Sequence, residues 1–417
     1  MFSNGYRRYV LGTLTLVYGL NFVDRGLIVL LLQPIQADLQ LTDTQLGFLT
    51  GLAFGLFYAV LGLPIARWAD RGNRATITAL AIGFWGITVM ACLLVTNFVQ
   101  LVCARIAAAV GEAGGMPPTY SLVGDYFPGS AERTQAMTFY MLAGPLSSLT
   151  SFALGGWLNE RYGWRTTFFV MGIPALLIAL LVKFTIREPR NPVHATAQVL
   201  RNAMPLRDVL LTLWRQRSSR HLIAGFILLA AIGFGLSPWY AAFLIRSHGF
   251  GTAELGVWLG LIFGIGGAVG ISFGGYITGR WLANDEPTQM RLTAISVLLL
   301  VPCFALFLLL PQKLHALFAL LALIMTMSFY AGPTFALMQR LVADEMRATT
   351  LAVVMLLANV VGMGMGPQIV GILSDALRPA FGTDSLRYSM MAVSFLAPWA
   401  AYHFWQVGRT VHEDLSR

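Results

Sequence analysis

Asp24, Arg25, Arg105 and Glu112 are ionisable residues set deep inside long apolar runs. An intramembrane charge costs at least ~2.5–3.5 kcal/mol on insertion scales, so four of them must pair, and such groups usually mark function. Arg105 and Glu112 are separated by seven positions. That is ~700° around a helix and about 10 Å along it, so both occupy one face. The neighbours Asp24 and Arg25 diverge by ~100° and need not share a partner. A crossing of the two helices brings Asp24 toward Arg105 and Glu112 toward Arg25. A carboxylate released from its arginine is a proton acceptor, whereas arginine keeps its charge throughout. The cluster therefore reads as a proton-coupling site. Glu112 and Asp24 are its acids; Arg25 and Arg105 are their charge partners and the receivers of an anionic substrate group. Glu112 ranks first because Gly111, Gly114, Gly115, Pro117 and Pro118 surround it, and such residues loosen a helix and admit close backbone approach or water. The competing reading is a structural ion-pair cluster that fixes helix register. Apolar packing does that at lower cost, so the functional reading is preferred.

Membrane helices must hold these residues, and the composition supplies them. The 417 residues are 57% hydrophobic and 11% charged, whereas soluble domains average ~25% charged. A soluble enzyme, a disordered chain and a disulfide scaffold are excluded. Apolar stretches between charged or Pro/Gly-rich breaks fall near 9–37, 44–66, 75–96, 98–124, 134–158, 165–186, 221–245, 252–278, 291–311, 314–339, 348–374 and 386–407. The fold class expected is all-α: a polytopic membrane protein with twelve transmembrane helices in two six-helix bundles. The run after Arg7 and Arg8 is too long for a cleavable signal and reads as the first span. The loops on the side of the termini hold twenty Lys and Arg residues against six on the other. This places both termini in the cytoplasm. A basic, proline-interrupted linker (188–220) then separates bundles 1–187 and 221–417. It is expected to rest near anionic headgroups; no nucleic acid is expected. Cys92, Cys103 and Cys303 lie in apolar runs without metal-ligand spacing, so no metal and no cofactor are expected.

The halves repeat. Pro118-Thr119-Tyr120-Ser121-Leu122 matches Pro333-Thr334-Phe335-Ala336-Leu337 at an offset of 215, and Leu46-Gly47 matches Leu255-Gly256 at 209. Gly144-Pro145 and Gly366-Pro367 pair likewise. A duplicated six-span unit is the construction of a rocking transporter with its site at mid-membrane. The loop Ala66-Arg67-Trp68-Ala69-Asp70-Arg71-Gly72-Asn73-Arg74 resembles the signature loop of the major facilitator superfamily, with Ala66 and Asn73 in place of glycines. Asp70, Arg71 and Arg74 read as a cytoplasmic gate, with Asp125 the expected partner of Arg71. In the second half Gly279 stands where the Asp would be, which puts a symmetric second latch in doubt.

A narrower resemblance, to the Spinster group, rests on Asn21-Phe22-Val23-Asp24-Arg25, Asp70 to Arg74, Arg105 followed by Gly111-Glu112-Ala113, and Arg187-Glu188-Pro189. It implies a transporter of lysophospholipid or sphingoid type, proton-coupled in bacterial members. Asn21, Trp239, Tyr240, Tyr330 and Asn359 are expected to line the cavity. The second half carries no deep charge, so its walls suit an apolar tail while the first half takes a polar head. The glycine run from Gly264 to Gly270 reads as close helix packing, because it lies in an apolar span with no preceding strand. The expected function is proton-coupled transport by alternating access. The alternative is a proton-driven drug or organic-anion exporter. A membrane-embedded lipid enzyme is disfavoured because no catalytic constellation sits at an interface. The expected partners are membrane lipids, protons and a small amphipathic substrate, with a monomeric protein in the bacterial inner membrane.

Overall fold

The computed structural model describes residues 2–189, 205–283 and 285–415, and among them the chain is helical with no β-strand. Its helices are α1 (Asn4–Leu39), α2 (Asp43–Thr50), α3 (Leu52–Arg71), α4 (Arg74–Ala91), α5 (Phe98–Ala113), α6 (Met116–Tyr126), α7 (Ser130–Met141) and α8 (Ala143–Thr185). The short α9 (Leu206–Arg215) precedes α10 (Arg217–Leu236), α11 (Trp239–His248), α12 (Thr252–Leu261), α13 (Gly267–Trp281), α14 (Glu286–Leu298) and α15 (Leu300–Leu309). Then come α16 (Lys313–Ser328), α17 (Ala331–Arg340), α18 (Arg347–Ala358), α19 (Gly366–Phe381), α20 (Ser385–Ser394) and α21 (Leu396–Leu415).

Among the described residues, ten helical stretches are long and apolar enough to cross a membrane. Two of them, Gln135–Thr185 and Thr349–Leu415, run to 51 and 67 residues, against the ~20 that one crossing needs. The first turns at Gly163 (φ 77°) and the second at Gly382 (φ 54°), backbone conformations that favour glycine. Each long stretch thus supplies two crossings, which gives twelve.

Local sequence explains the breaks that matter. Asn73 caps α4 by accepting from the Thr76 N–H, and Asn97 caps α5 by accepting from the Gln100 N–H. The fourth span ends its first helix at Ala113, one residue after Glu112, and restarts at Met116. Pro117 sits in the first turn of α6, where its missing N–H costs nothing. Two glycine-rich segments, Ile262–Gly266 and Asn359–Met365, widen into π-helix. Such bulges interrupt otherwise regular helices and recur at functional sites.

The chain forms two compact units. One comprises Met1–Leu41, Leu52–Arg201 and Phe250–Gly260; the other comprises Thr42–Gly51, Asn202–Gly249 and Leu261–Arg417. Within the first unit Leu14, Val17, Leu30, Trp85, Tyr140 and Phe168 are buried core side chains. Within the second, Trp239, Tyr240, Phe243, Phe304, Phe307 and Phe404 play that part. The linker is less irregular than its prolines suggest, because α9 forms inside it. The linker residues 190–204 lie outside the described residues.

Candidate functional site

In the first unit the four deep charges form two pairs. Arg105 Nη1 donates to Asp24 Oδ2 at 2.5 Å, and Arg25 Nε donates to Glu112 Oε2 at 2.9 Å. The Asp24, Arg105 and Glu112 side chains are 1%, 4% and 0% exposed, but Arg25 keeps 26% of its side-chain surface accessible. Both cations also rest on aromatic faces. The Phe54 ring centroid lies 4.8 Å from Arg105 Cζ and 5.2 Å from Arg25 Cζ, and Tyr58 lies 4.8 Å from Arg25 Cζ. Desolvated cation–π contacts of this kind stabilise a cation by roughly 2 kcal/mol without neutralising it. The second carboxylate oxygen of Glu112, Oε1, is buried and makes no hydrogen bond among the described residues.

The glycines around Glu112 each answer to a neighbour. A Cβ added at Gly111 would come within 2.7 Å of Trp85 Cβ, and one at Gly115 within 2.9 Å of Asn21 Nδ2. Asn21 donates to its own helix at the Val17 carbonyl (3.1 Å), and its amide fills the space beside Gly115. Phe54 and Tyr58 escaped the sequence reading, as did a Tyr18–Tyr120–Tyr140 cluster whose ring centroids lie 4.5–6.3 Å apart. Apolar helices are rich in aromatics, and nothing local distinguishes these.

The rim gate departs from expectation. Asp125 meets Arg74, with Nη2 to Oδ2 at 2.7 Å, and Arg71 is exposed at the end of α3. The Asp70 side chain lies outside the described residues. The reason is placement: Arg74 is the first residue of α4 and is buried, and it gathers acids from two directions. Its backbone N–H donates to Glu188 Oε2 (2.6 Å), its guanidinium contacts the other Glu188 oxygen, and Nη1 donates to Ser121 Oγ (2.7 Å). A carboxylate that takes both a helix's first N–H and an arginine is favourably placed by charge and by dipole. In the second unit Glu286 opens α14 and pairs with Arg340 at the end of α17. Glu286 follows Arg74 by 212 residues and Arg340 follows Asp125 by 215. The second unit therefore carries an ion pair at the repeat-related place, with its polarity reversed.

The other second-unit residues divide. Tyr240 and Tyr330 line a mostly apolar cavity of about 300 Å³ together with Ser237, Phe263, Met327 and Ser328. Trp239 is fully buried and donates Nε1–H to the Pro367 carbonyl (3.3 Å), so it packs beside that space rather than lining it. Asn359 opens the π-helical segment and is half-buried, apart from that cavity.

A buried ionic joint in the second unit was also missed. Arg246 grips Asp43 with Nη1 to Oδ2 at 2.8 Å and Nη2 to Oδ1 at 2.7 Å, and Ser374 Oγ donates to the same carboxylate (2.6 Å). Asp375 accepts the N–H groups of Asp43 and Thr44 at the start of α2. Asp43 precedes the apolar run of the second span, so a search for charges within spans passes over it.

Comparison with known proteins agrees with this architecture. The profile of the Major Facilitator Superfamily matches residues 14–367. An MFS-type efflux pump of Mycolicibacterium smegmatis is 33% identical over 97% of this chain and 93% of its own length. Protein spinster homolog 1 of Homo sapiens is 26% identical over 94% of this chain and 79% of its own. The crystal structure of a bacterial homolog to the human lysosomal transporter Spinster, inward-facing and unoccupied, superimposes with a TM-score of 0.88 at 27% identity over 99% of both chains.

Proposed function

The chain belongs to the major facilitator superfamily, as a Spinster-like integral membrane transporter rather than an enzyme, and we propose that it couples proton movement to transport of an amphipathic, lipid-like substrate. The observation that carries the coupling is the Glu112 side chain: fully buried, paired with Arg25 through one oxygen, and without a hydrogen bond on the other among the described residues. A carboxylate so placed trades its arginine for a proton when Arg25 turns to another anion. Arg25 is the accessible cation of the cluster and so the better receiver of an anionic headgroup, while Arg105 stays sealed against Asp24. Within the second unit, the mostly apolar cavity lined by Tyr240 and Tyr330 is suited to an acyl chain. Rocking of the duplicated bundles, with both termini in the cytoplasm of a bacterial cell, gives alternating access.

Parallel proton and lysophospholipid flux in proteoliposomes tests this. Glu112→Gln preserves size and polarity, so it should fold like the parent but lose its response to an imposed proton gradient. A variant that follows the gradient like the parent rules out Glu112 as the proton site. Arg25→Gln should lower affinity for a charged lysolipid on the order of ten- to a hundredfold relative to a neutral lipid of equal chain length. A second reading, export of an amphipathic drug or organic anion, draws on the efflux-pump relative. It predicts proton-coupled flux of such compounds with none of a lysolipid.

A further inference from the structure

Helix α9 lies outside the spans and carries three faces. Val209 and Leu213 are buried against Val342, with Ile223 and Met346 packed beside them. Leu206, Leu210, Leu211 and Trp214 are 53%, 44%, 40% and 71% exposed. At ~100° per residue these four fill one arc directly beside the buried pair, while Asp208, Thr212 and Arg215 fill the remainder. Arg207 stands within the exposed apolar arc, and Arg220 places its Cζ 5.7 Å from the Trp214 ring centroid. The first turn of the membrane span α10 begins at Arg217, immediately after Gln216. Gln216 in turn ties this corner to the turn after α17 by donating Nε2–H to the Leu341 carbonyl at 2.9 Å.

An apolar arc of this width facing water would be costly, yet one edge of it is continuous with the protein core and its end joins a span. We propose that α9 is an interfacial anchor that binds anionic phospholipid of the leaflet where α10 starts. Leu210, Leu211 and Trp214 enter the headgroup–acyl boundary, and Arg207, Arg215 and Arg220 reach the phosphates. Charge complementarity selects the occupant, because the exposed arc is bordered by arginines. The lipid so held steadies the Val342–Met346 turn on which α9 rests. This inference is independent of the transported substrate.

The test uses the full chain in nanodiscs of phosphatidylcholine alone, or with about 30% phosphatidylglycerol. Amide exchange of 206–215 is followed together with quenching of Trp214 by brominated acyl chains, taken as the difference from Trp214→Phe. Each arginine beside an anionic leaflet contributes roughly fivefold, so exchange should slow on the order of tenfold or more with phosphatidylglycerol. Arg207→Gln with Arg215→Gln should abolish that lipid dependence while Trp214 remains quenched. Exchange equal in the two nanodiscs overturns the proposal. So does an unquenched Trp214, or the same protection in lipid-free detergent, which would mean that another part of this chain covers the arc.

Discussion

The seating of α2 on α19 in the second unit and that of α12 on α8 in the first are one joint built twice. A Cβ at Gly47 would come within 2.5 Å of the Pro367 carbonyl oxygen, and one at Gly256 within 2.1 Å of the Phe152 carbonyl oxygen. Gly371 meets the Asp43 carbonyl and Gly156 the Thr252 carbonyl in the same way. The caps repeat as well. Asp375 accepts from the first amides of α2, and Glu160 accepts from the Ala253 amide of α12 at 2.9 Å. What differs is charge. Thr252 is held by Asn159, whose Nδ2 donates at 3.0 Å, whereas its counterpart Asp43 is a buried acid held by Arg246 and Ser374. Backbone approach through glycine is therefore the shared scaffold, and the ionic pair is an addition to one copy. The deep cluster follows the same rule, since Asp24, Arg25, Arg105 and Glu112 all belong to the first half and no charge lines the second-unit cavity.

Removing the added charge should have the largest effect. Arg246→Gln leaves Asp43 buried without its guanidinium, and breaking such a pair costs about 3 kcal/mol or more. Asn159→Ala removes only a neutral hydrogen bond in the other copy, which costs about 1 kcal/mol. Unfolding in mixed micelles measures both. Equal losses would mean that the ionic joint carries no more than its neutral twin.

The scaffold itself should respond alike in both copies. Gly47→Ala and Gly256→Ala each drive a methyl group into a carbonyl oxygen that cannot yield without moving a helix, an overpacking worth roughly 1–3 kcal/mol. A loss confined to one copy would show that the two seats are not equivalent.

These seats also show how much the sequence discloses. The Leu46-Gly47 and Leu255-Gly256 repeat is visible at an offset of 209, because a glycine forced by close approach leaves a mark that neighbouring residues do not hide. The pairing of Asp24 with Arg105 and of Arg25 with Glu112 is equally legible, since helical geometry and the cost of burial leave few partners. The span count is legible from apolar length. Arg246 and Glu188 were not, because each lies in a loop or at a helix end where charge is ordinary. Their roles come from tertiary placement. Choosing Arg71 over Arg74 as the partner of Asp125 failed for a related reason: three arginines share one loop, and only the one that opens the next helix turns inward.

The smallest effect, and the sharpest use of the repeat, concerns the two rim ion pairs. Arg74 is buried and engages both Asp125 and Glu188, while Arg340 is 52% exposed and pairs with Glu286. That pair is open to solvent on the arginine side only, since the Glu286 side chain is 12% exposed, and it contributes on the order of 1 kcal/mol. Glu286→Gln should therefore shift unfolding by no more than that. If the positions matter but the polarity does not, the double exchange Glu286→Arg with Arg340→Glu should recover the loss produced by either single change. It should do so incompletely, because Glu286 opens α14 and an acid there also meets the helix N-terminus, a contribution of about 0.3–1 kcal/mol that an arginine reverses. In the first unit Arg74 occupies that unfavourable place and is compensated by Glu188, which accepts the α4 amide. The second unit, with its acid at the helix start, obtains the cap and the ion pair from a single residue. A double exchange as stable as the parent would show that the helix terminus plays no part. One no better than the single variants would show that Glu286 and Arg340 do not interact.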